Sequence, residues 1–200
     1  MTTPGAPPVE YRTARPGDRA AIEALDGSFR TRTVFEVESS ADGFALREVP
    51  VDPPLHKVFP PEEPDEPDEP GGAGGAGDAG EPQGDGTGHA RTFVALDGGA
   101  LCGFAAVRYA PWNRRLTVED IEVAPAHRGR GIGRALMDLA AGFARERGAA
   151  HLWLEVSSVN APAVHAYRRM GFSLCGLDTA LYDGTSAAGE RALYMSRPCG

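Results

Sequence analysis

Apolar residues recur along this chain in two rhythms. Ile132, Leu136, Leu139 and Phe143 fall at spacings of 4, 3 and 4, one face of a helix, which predicts a helix over 131–147. Gly148 stands where a left-handed terminator belongs. Apolar stretches at 91–96 and 101–109, joined through Asp97-Gly98-Gly99, predict two strands of a hairpin, and 115–123 and 151–156 predict two more. Upstream, 11–14 reads as a short strand. Pro16-Gly17-Asp18 opens a helix with Asp18 as N-cap, an apolar stripe of Ala20, Ala21, Ile22 and Leu25, and Gly27 as its end. Strands at 34–37 and 44–49 flank Asp42-Gly43, a hairpin signal. Downstream, Asn160 caps a helix reaching Met170, Gly171 ends it, and 172–175 and 191–196 complete the sheet. The alternation predicts an α/β (α+β) domain, a mixed central sheet flanked by helices.

One segment breaks both rhythms. Residues 61–90 contain no large aliphatic or aromatic side chain, so ordering them would not be offset by burial; they are expected to be a disordered acidic, Gly-rich insertion. A solvated linker is the plain reading, and a regulatory or electrostatic arm the other. The expected organisation is a flexible 1–9, an N-terminal part at 10–60, the linker at 61–90 and a catalytic core at 91–200.

The linker also changes what the charge means. The net charge is -8, and 61–90 carries 9 acids with no Lys or Arg, so the remainder sums to -8 + 9 = +1. A near-neutral folded part lacks the basic excess that would point to nucleic acid. Three cysteines, none in a CxxC pair, argue against a disulfide framework or a zinc site, and no metal is expected. Without a basic-then-apolar leader in 1–10 or an apolar run long enough to span a bilayer, the chain reads as a cytoplasmic protein not bound to membranes.

The most chemical stretch is VAPAHRGRGIGRA, from Val123 to Ala135. A strand enters a Gly-rich loop that opens a helix. Gly129, Gly131 and Gly133 leave backbone N–H groups accessible, the helix N-terminus adds about half a positive charge, and Arg128, Arg130 and Arg134 add full ones. This chemistry suits a pyrophosphate. It is not a Walker loop, which needs Gly-Lys-Ser/Thr, nor the G-x-G-x-x-G fingerprint, which fails in both registers. A merely flexible basic turn is the bland alternative.

Arg128-Gly129-Arg130-Gly131-Ile132-Gly133 resembles the R/Q-x-x-G-x-G/A motif of the GNAT acetyltransferases. Asn160, Ala163, Tyr167 and Gly171-Phe172 resemble that family's N-x-x-A-x-x-x-Y-x-x-x-G-F pattern. The resemblance implies the GNAT fold and acetyl-CoA as cosubstrate. It implies that the loop amides hold the pyrophosphate. Ile121 and Val123 on the preceding strand would line the pantetheine arm, with an N–H near Val123 facing the thioester carbonyl. Asn160 would bind the cofactor and Tyr167 face its sulfur. Asn160 as a simple cap and Tyr167 as a core aromatic are the structural alternatives. LREVPVDPPLHKVFP (Leu46 to Pro60), WNRRLTVEDIEVAP (Trp112 to Pro125) and LCGLDTALYDGT (Leu174 to Thr185) are similar to the streptothricin (nourseothricin) N-acetyltransferases of actinomycetes, as are LDGSF (Leu25 to Phe29) and HLWLEVSSVNAP (His151 to Pro162). This implies a polycationic antibiotic acetylated on its β-lysine arm; as to assembly, a monomer and a homodimer are both left open.

Acetyl transfer to an amine needs a proton acceptor, aligned reactants, oxyanion donors and an acid for the departing thiolate. The Tyr167 phenol suits the acid. Glu119 is the first choice of base and Glu155 the second, with a water chain and no single base as the alternative. Strand alternation puts Glu119 on the face of Ile121 and Val123, and Asp120 and Glu122 on the other. Asp120, Glu122 and Asp178 are candidate contacts for substrate ammonium groups, and Trp112 for a cation over its ring. Asp178, Tyr182 and Asp183 fall in a late loop that could close the acceptor site. The competing functions are acetylation of another amine, such as a protein N-terminus, a lysine or another antibiotic, and acetyl-CoA binding without turnover.

Overall fold

The computed structural model describes residues 8–58 and 88–199. The elements run β1 (Glu10–Thr13), α1 (Arg19–Glu23), β2 (Phe29–Ser40), β3 (Gly43–Lys57), β4 (Ala90–Asp97), β5 (Ala100–Ala110), β6 (Arg115–Val123), α2 (Ile132–Glu146), β7 (His151–Ser157), α3 (Ala161–Arg169), β8 (Ser173–Asp178) and β9 (Ala192–Pro198). Seven strands follow the order β1-β4-β5-β6-β7-β9-β8, and β2 and β3 form a separate two-stranded sheet. β6 and β7 are parallel, whereas β1–β4, β4–β5, β7–β9 and β8–β9 are antiparallel, so the sheet is mixed as expected. The insertion read at 61–90 lies, apart from its last three residues, outside the described residues.

The chain divides into two compact units. The first holds β1, α1, β4, most of β5, the C-terminal half of β6 and the start of α2. Val94, Leu96 and Phe104 form its buried centre, packed by Ala14, Ile22, Leu25 and Leu101. Of the stripe expected on α1, Ile22 and Leu25 are partly buried against this centre, whereas Ala20 and Ala21 are exposed, and α1 closes at Glu23. Asp18 occupies the N-cap without a capping side-chain bond, because Arg12 takes its carboxylate at 2.6 and 2.9 Å and the Arg15 N–H donates to it at 2.6 Å.

The second unit holds β2, β3, the N-terminal half of β6, the C-terminal half of α2, β7, α3, β8 and β9. On β7 the buried Leu152, Leu154 and Val156 alternate with the half-buried Trp153, Glu155 and Ser157, which puts the polar positions on one face. Phe143, Val164, Phe172, Leu193 and Met195 are buried in this unit's core, where truncating a large side chain costs about 2–5 kcal/mol. The β2–β3 ladder runs from Phe29↔Lys57 to Ser40↔Gly43, far longer than the two short strands expected there. Its middle is tied to α3: the Arg168 guanidinium lies 5.0 Å over the Phe35 ring, and His165 Nε2 is 2.9 Å from Glu48 Oε1, Phe35 and Glu48 being paired across the ladder.

Candidate active site

In the first unit β6 ends at Val123, a single 3-10 turn covers Pro125–His127, and α2 begins at Ile132. Between them Gly129 and Gly131 take φ of +76° and +83°, and no atom lies within 4 Å of where their Cβ atoms would stand. Glycine is needed here for the left-handed backbone, and the open space leaves the amides accessible. Gly133 differs: its Cβ would meet Val123 Cγ2 at 3.7 Å, an ordinary contact. Ile132 is buried and anchors the start of α2, and the Ala135 N–H donates to the Gly131 carbonyl at 3.0 Å as the first turn closes. Earlier N–H groups of the turn have no intrahelical acceptor, which together with the dipole makes an anion seat.

The three arginines do different things. Arg128 Nε donates to the Val123 carbonyl at 2.8 Å and its NH2 to the Gly27 carbonyl at 3.0 Å, clipping the chain after α1 to the end of β6. Arg130 pairs with Asp97 at 2.7 Å, and this hydrogen bond holds the Asp97 carboxyl below its ordinary range. Arg134 is exposed on the first turn of α2, with no hydrogen bond or ion pair to another described residue. Its charge is the one of the three left for a phosphate.

The clip has a carboxylate beside it. A Cβ on Gly27 would stand 2.2 Å from Glu122 Oε1, so the Glu122 carboxyl rests against the bare backbone of Gly27. Burial pushes Glu122 up to about 7, the like charge of Asp120 adds to that, Arg128 opposes it and Asp26 adds a little more. Glu119 is exposed and bonded by Arg108 Nε at 2.6 Å. The nearby arginines are engaged elsewhere: Arg114 Nε donates to the Gly148 carbonyl, and the Arg115 guanidinium lies 4.4 Å over the Trp153 ring.

In the second unit Asn160 caps α3, its Oδ1 accepting the Ala163 N–H at 3.2 Å. Tyr167 lies half-buried on α3, its ring 5.9 Å from that of Phe172. Glu155, half-buried on β7, accepts the Tyr182 hydroxyl. Burial raises the Glu155 carboxyl, the Tyr182 hydrogen bond opposes this, and the Glu190 charge adds to it. Burial first and the Glu155 bond second push the Tyr182 phenol far above its ordinary value, so it keeps its proton. Glu190 is held by Lys57 and accepts from Ser157 Oγ at 2.5 Å. Asp178 Oδ1 accepts the Ala180 and Leu181 N–H groups at 2.8 and 3.1 Å and so shapes the start of the loop after β8. Trp112 stands 86% exposed at the β5–β6 turn.

The structure thus gathers Asp26, Gly27, Asp120, Glu122 and Arg128 in one unit, and Glu155, Tyr182, Glu190, Ser157 and Lys57 in the other. Sequence reading missed Gly27, Asp97, Lys57 and Glu190 as partners. No local signal marks them, because each pairs with a residue 33 to 133 positions away.

Comparison with known proteins adds to this geometry. Residues 55–172 match the acetyltransferase (GNAT) family model. The chain is 64% identical to streptothricin acetyltransferase of Streptomyces lavendulae, over 100% of both chains. A crystal structure of nourseothricin acetyltransferase is 63% identical, covers 96% of this chain and 99% of its own, and superposes with a TM-score of 0.81. A Bacillus anthracis str. Ames structure in complex with acetyl coenzyme A is 22% identical over 97% of this chain and 99% of its own, with a TM-score of 0.72, a likeness of fold.

Proposed function

The chain belongs to the acetyltransferase (GNAT) family, and from that premise we propose that it moves the acetyl group of acetyl-CoA to the β-amino group of the β-lysine arm of streptothricin, removing a positive charge the antibiotic needs. The observation that carries this reading is 64% identity over the full length of a streptothricin acetyltransferase. The structure supports it with a loop whose open, left-handed glycines, followed by first-turn amides that have no intrahelical acceptor, fit a pyrophosphate.

Acetyl-CoA supplies an activated thioester carbonyl. The protein's part is to bind, align and manage protons. Backbone amides at 129–133 and the Arg134 charge hold the phosphates, Ile121 and Val123 line the pantetheine arm, and Asn160 and Ala163 complete the cofactor contacts. An N–H near Val123 donates to the developing oxyanion, a kind of donor worth about 3–4 kcal/mol. The acceptor arrives as an ammonium and must lose a proton before its nitrogen has a lone pair. Of the two candidate bases, Glu119 already spends its charge on Arg108. Glu155 pairs with no cation among the described residues and is kept basic by burial, which favours it. Its carboxylate takes the ammonium proton, the nitrogen bonds the carbonyl carbon, and Tyr167 protonates the sulfur as the C–S bond breaks. The second nitrogen proton returns to the Tyr167 phenolate through water. Asp120, Glu122, Asp178 and Trp112 attract the remaining cationic groups of the substrate.

The reaction belongs in the cytoplasm, where acetyl-CoA is available. A monomer or homodimer suffices for it, with neither nucleic acid nor membrane as partner. Free thiol release with streptothricin as acceptor tests the reading against a peptide bearing a free N-terminus and an internal lysine. Turnover on streptothricin alone is expected. Turnover on the peptide alone would assign the chain to protein acetylation.

A further inference from the structure

We propose that Tyr182 is a positioning residue for acetyl transfer: from the loop between β8 and β9 its phenol holds one oxygen of the Glu155 carboxyl, leaving the other turned to the acceptor amine. The proposal rests on the reading of Glu155 as the proton acceptor.

The loop is built to deliver that phenol to a fixed place. At its start Asp178 Oδ1 accepts two successive N–H groups, those of Ala180 and Leu181. Within it, the Thr185 N–H and hydroxyl both donate to the Tyr182 carbonyl, at 3.0 and 2.9 Å. At its end Glu190 is fastened by Lys57 and Ser157, and the Arg191 N–H donates to Ser158 Oγ at 3.0 Å. These contacts involve β3, β7 and β8, so the loop is pinned on three sides.

What it delivers is a donor whose ionisation burial and the Glu155 carboxylate both oppose. Glu155 is faced by Tyr182 and Glu190 from the loop and by Tyr194 from β9, which it opposes across the ladder. Asp178 on β8 acts on Tyr194 in turn, and Lys57 on β3 is committed to Glu190. No cation in that set pairs with Glu155. Partial burial disfavours the charged form of Glu155, and the single phenol hydrogen bond offsets that only in part. Glu155 Oε1 is the atom Tyr182 touches. Oε2 is left to receive the proton of the incoming ammonium, whose charge also supplies the missing cation. One N–H bond breaks and one O–H bond forms on Glu155, while the phenol keeps its proton throughout.

Tyr182→Phe keeps the ring and deletes the donor. Losing a hydrogen bond to the charged form makes Glu155 easier to protonate. In full-length protein, the acidic limb of kcat/KM for streptothricin should move to higher pH by about one unit. Activity near pH 9 should still fall several-fold, because the carboxylate is no longer held toward the amine, with an unchanged Kd for acetyl-CoA. A loss equal at every pH, or an unmoved limb, would overturn the positioning role, since a purely structural tyrosine does not move a titration. Glu155→Gln separates the two ideas. A limb abolished by Glu155→Gln but unmoved by Tyr182→Phe overturns the tyrosine proposal alone. A limb that survives Glu155→Gln overturns the assignment of the base and the proposal with it.

Discussion

The Glu122 carboxyl lies against the α-carbon of Gly27, so closely that a methyl group there would stand 2.2 Å from Glu122 Oε1. Arg128 holds the same place from the other side, bonding the Gly27 and Val123 carbonyls. A flexible side chain can swing away from an added methyl, so Gly27→Ala should fold and displace Glu122. It should cost about 1–2 kcal/mol in the parent and close to nothing in a Glu122→Ala background. Denaturant melts of the four proteins in that cycle measure the coupling.

Glu122 also makes stability depend on pH. Its folded-state pKa is raised to about 7 from 4.5 by burial and by Asp120. The protonated form is favoured by folding, so this contribution is fully present below pH 4.5 and is lost as pH rises through about 7. Glu122→Gln should therefore flatten the fall of Tm between pH 5 and pH 8. A parallel fall in both proteins would place the titrating group elsewhere.

Asp18 works in the opposite direction. The Arg12 hydrogen bond brings it down to about 2 from 3.8, so its contribution is present above pH 3.8 and is lost as pH falls through about 2. Asp18→Asn should lower stability at pH 7 by about 1 kcal/mol and leave it unchanged near pH 2, read by chemical denaturation at both values.

The cofactor loop separates conformational glycines from small ones. Gly131→Ala puts a side chain at φ +83° with nothing to clash against, so its effect is backbone strain alone. It should raise the Kd for acetyl-CoA by roughly tenfold. Gly133→Ala meets only an ordinary contact with Val123 and should stay within about twofold of the parent. Titration calorimetry with acetyl-CoA compares them.

How far the fold could be read from the sequence depended on how local its causes are. α2 was legible because Ile132, Leu136 and Phe143 bury on one helical face. β2 and β3 extend well past their apolar cores because the ladder itself pairs exposed positions such as Glu38↔Ala45 and Glu36↔Arg47, which no alternation announces. Asp18 keeps the N-cap position but makes no capping bond because Arg12, on β1, takes its carboxylate. In the site, the glycines of the loop were legible from their spacing. The use of Arg128 as a backbone clip was not, since its partner Gly27 is 101 residues away. Nor was the coupling of Glu155 to Tyr182, 27 residues apart across a loop with no periodic pattern.

The most direct test of the central claim is the position of the acetyl group on the product. Purified protein is incubated with acetyl-CoA and streptothricin, and the product is fragmented by tandem mass spectrometry. The account predicts one added acetyl group on the amino group of the β-lysine arm, with one free thiol released for each. An acetyl group elsewhere on the antibiotic, or thiol release without a modified antibiotic, would contradict it.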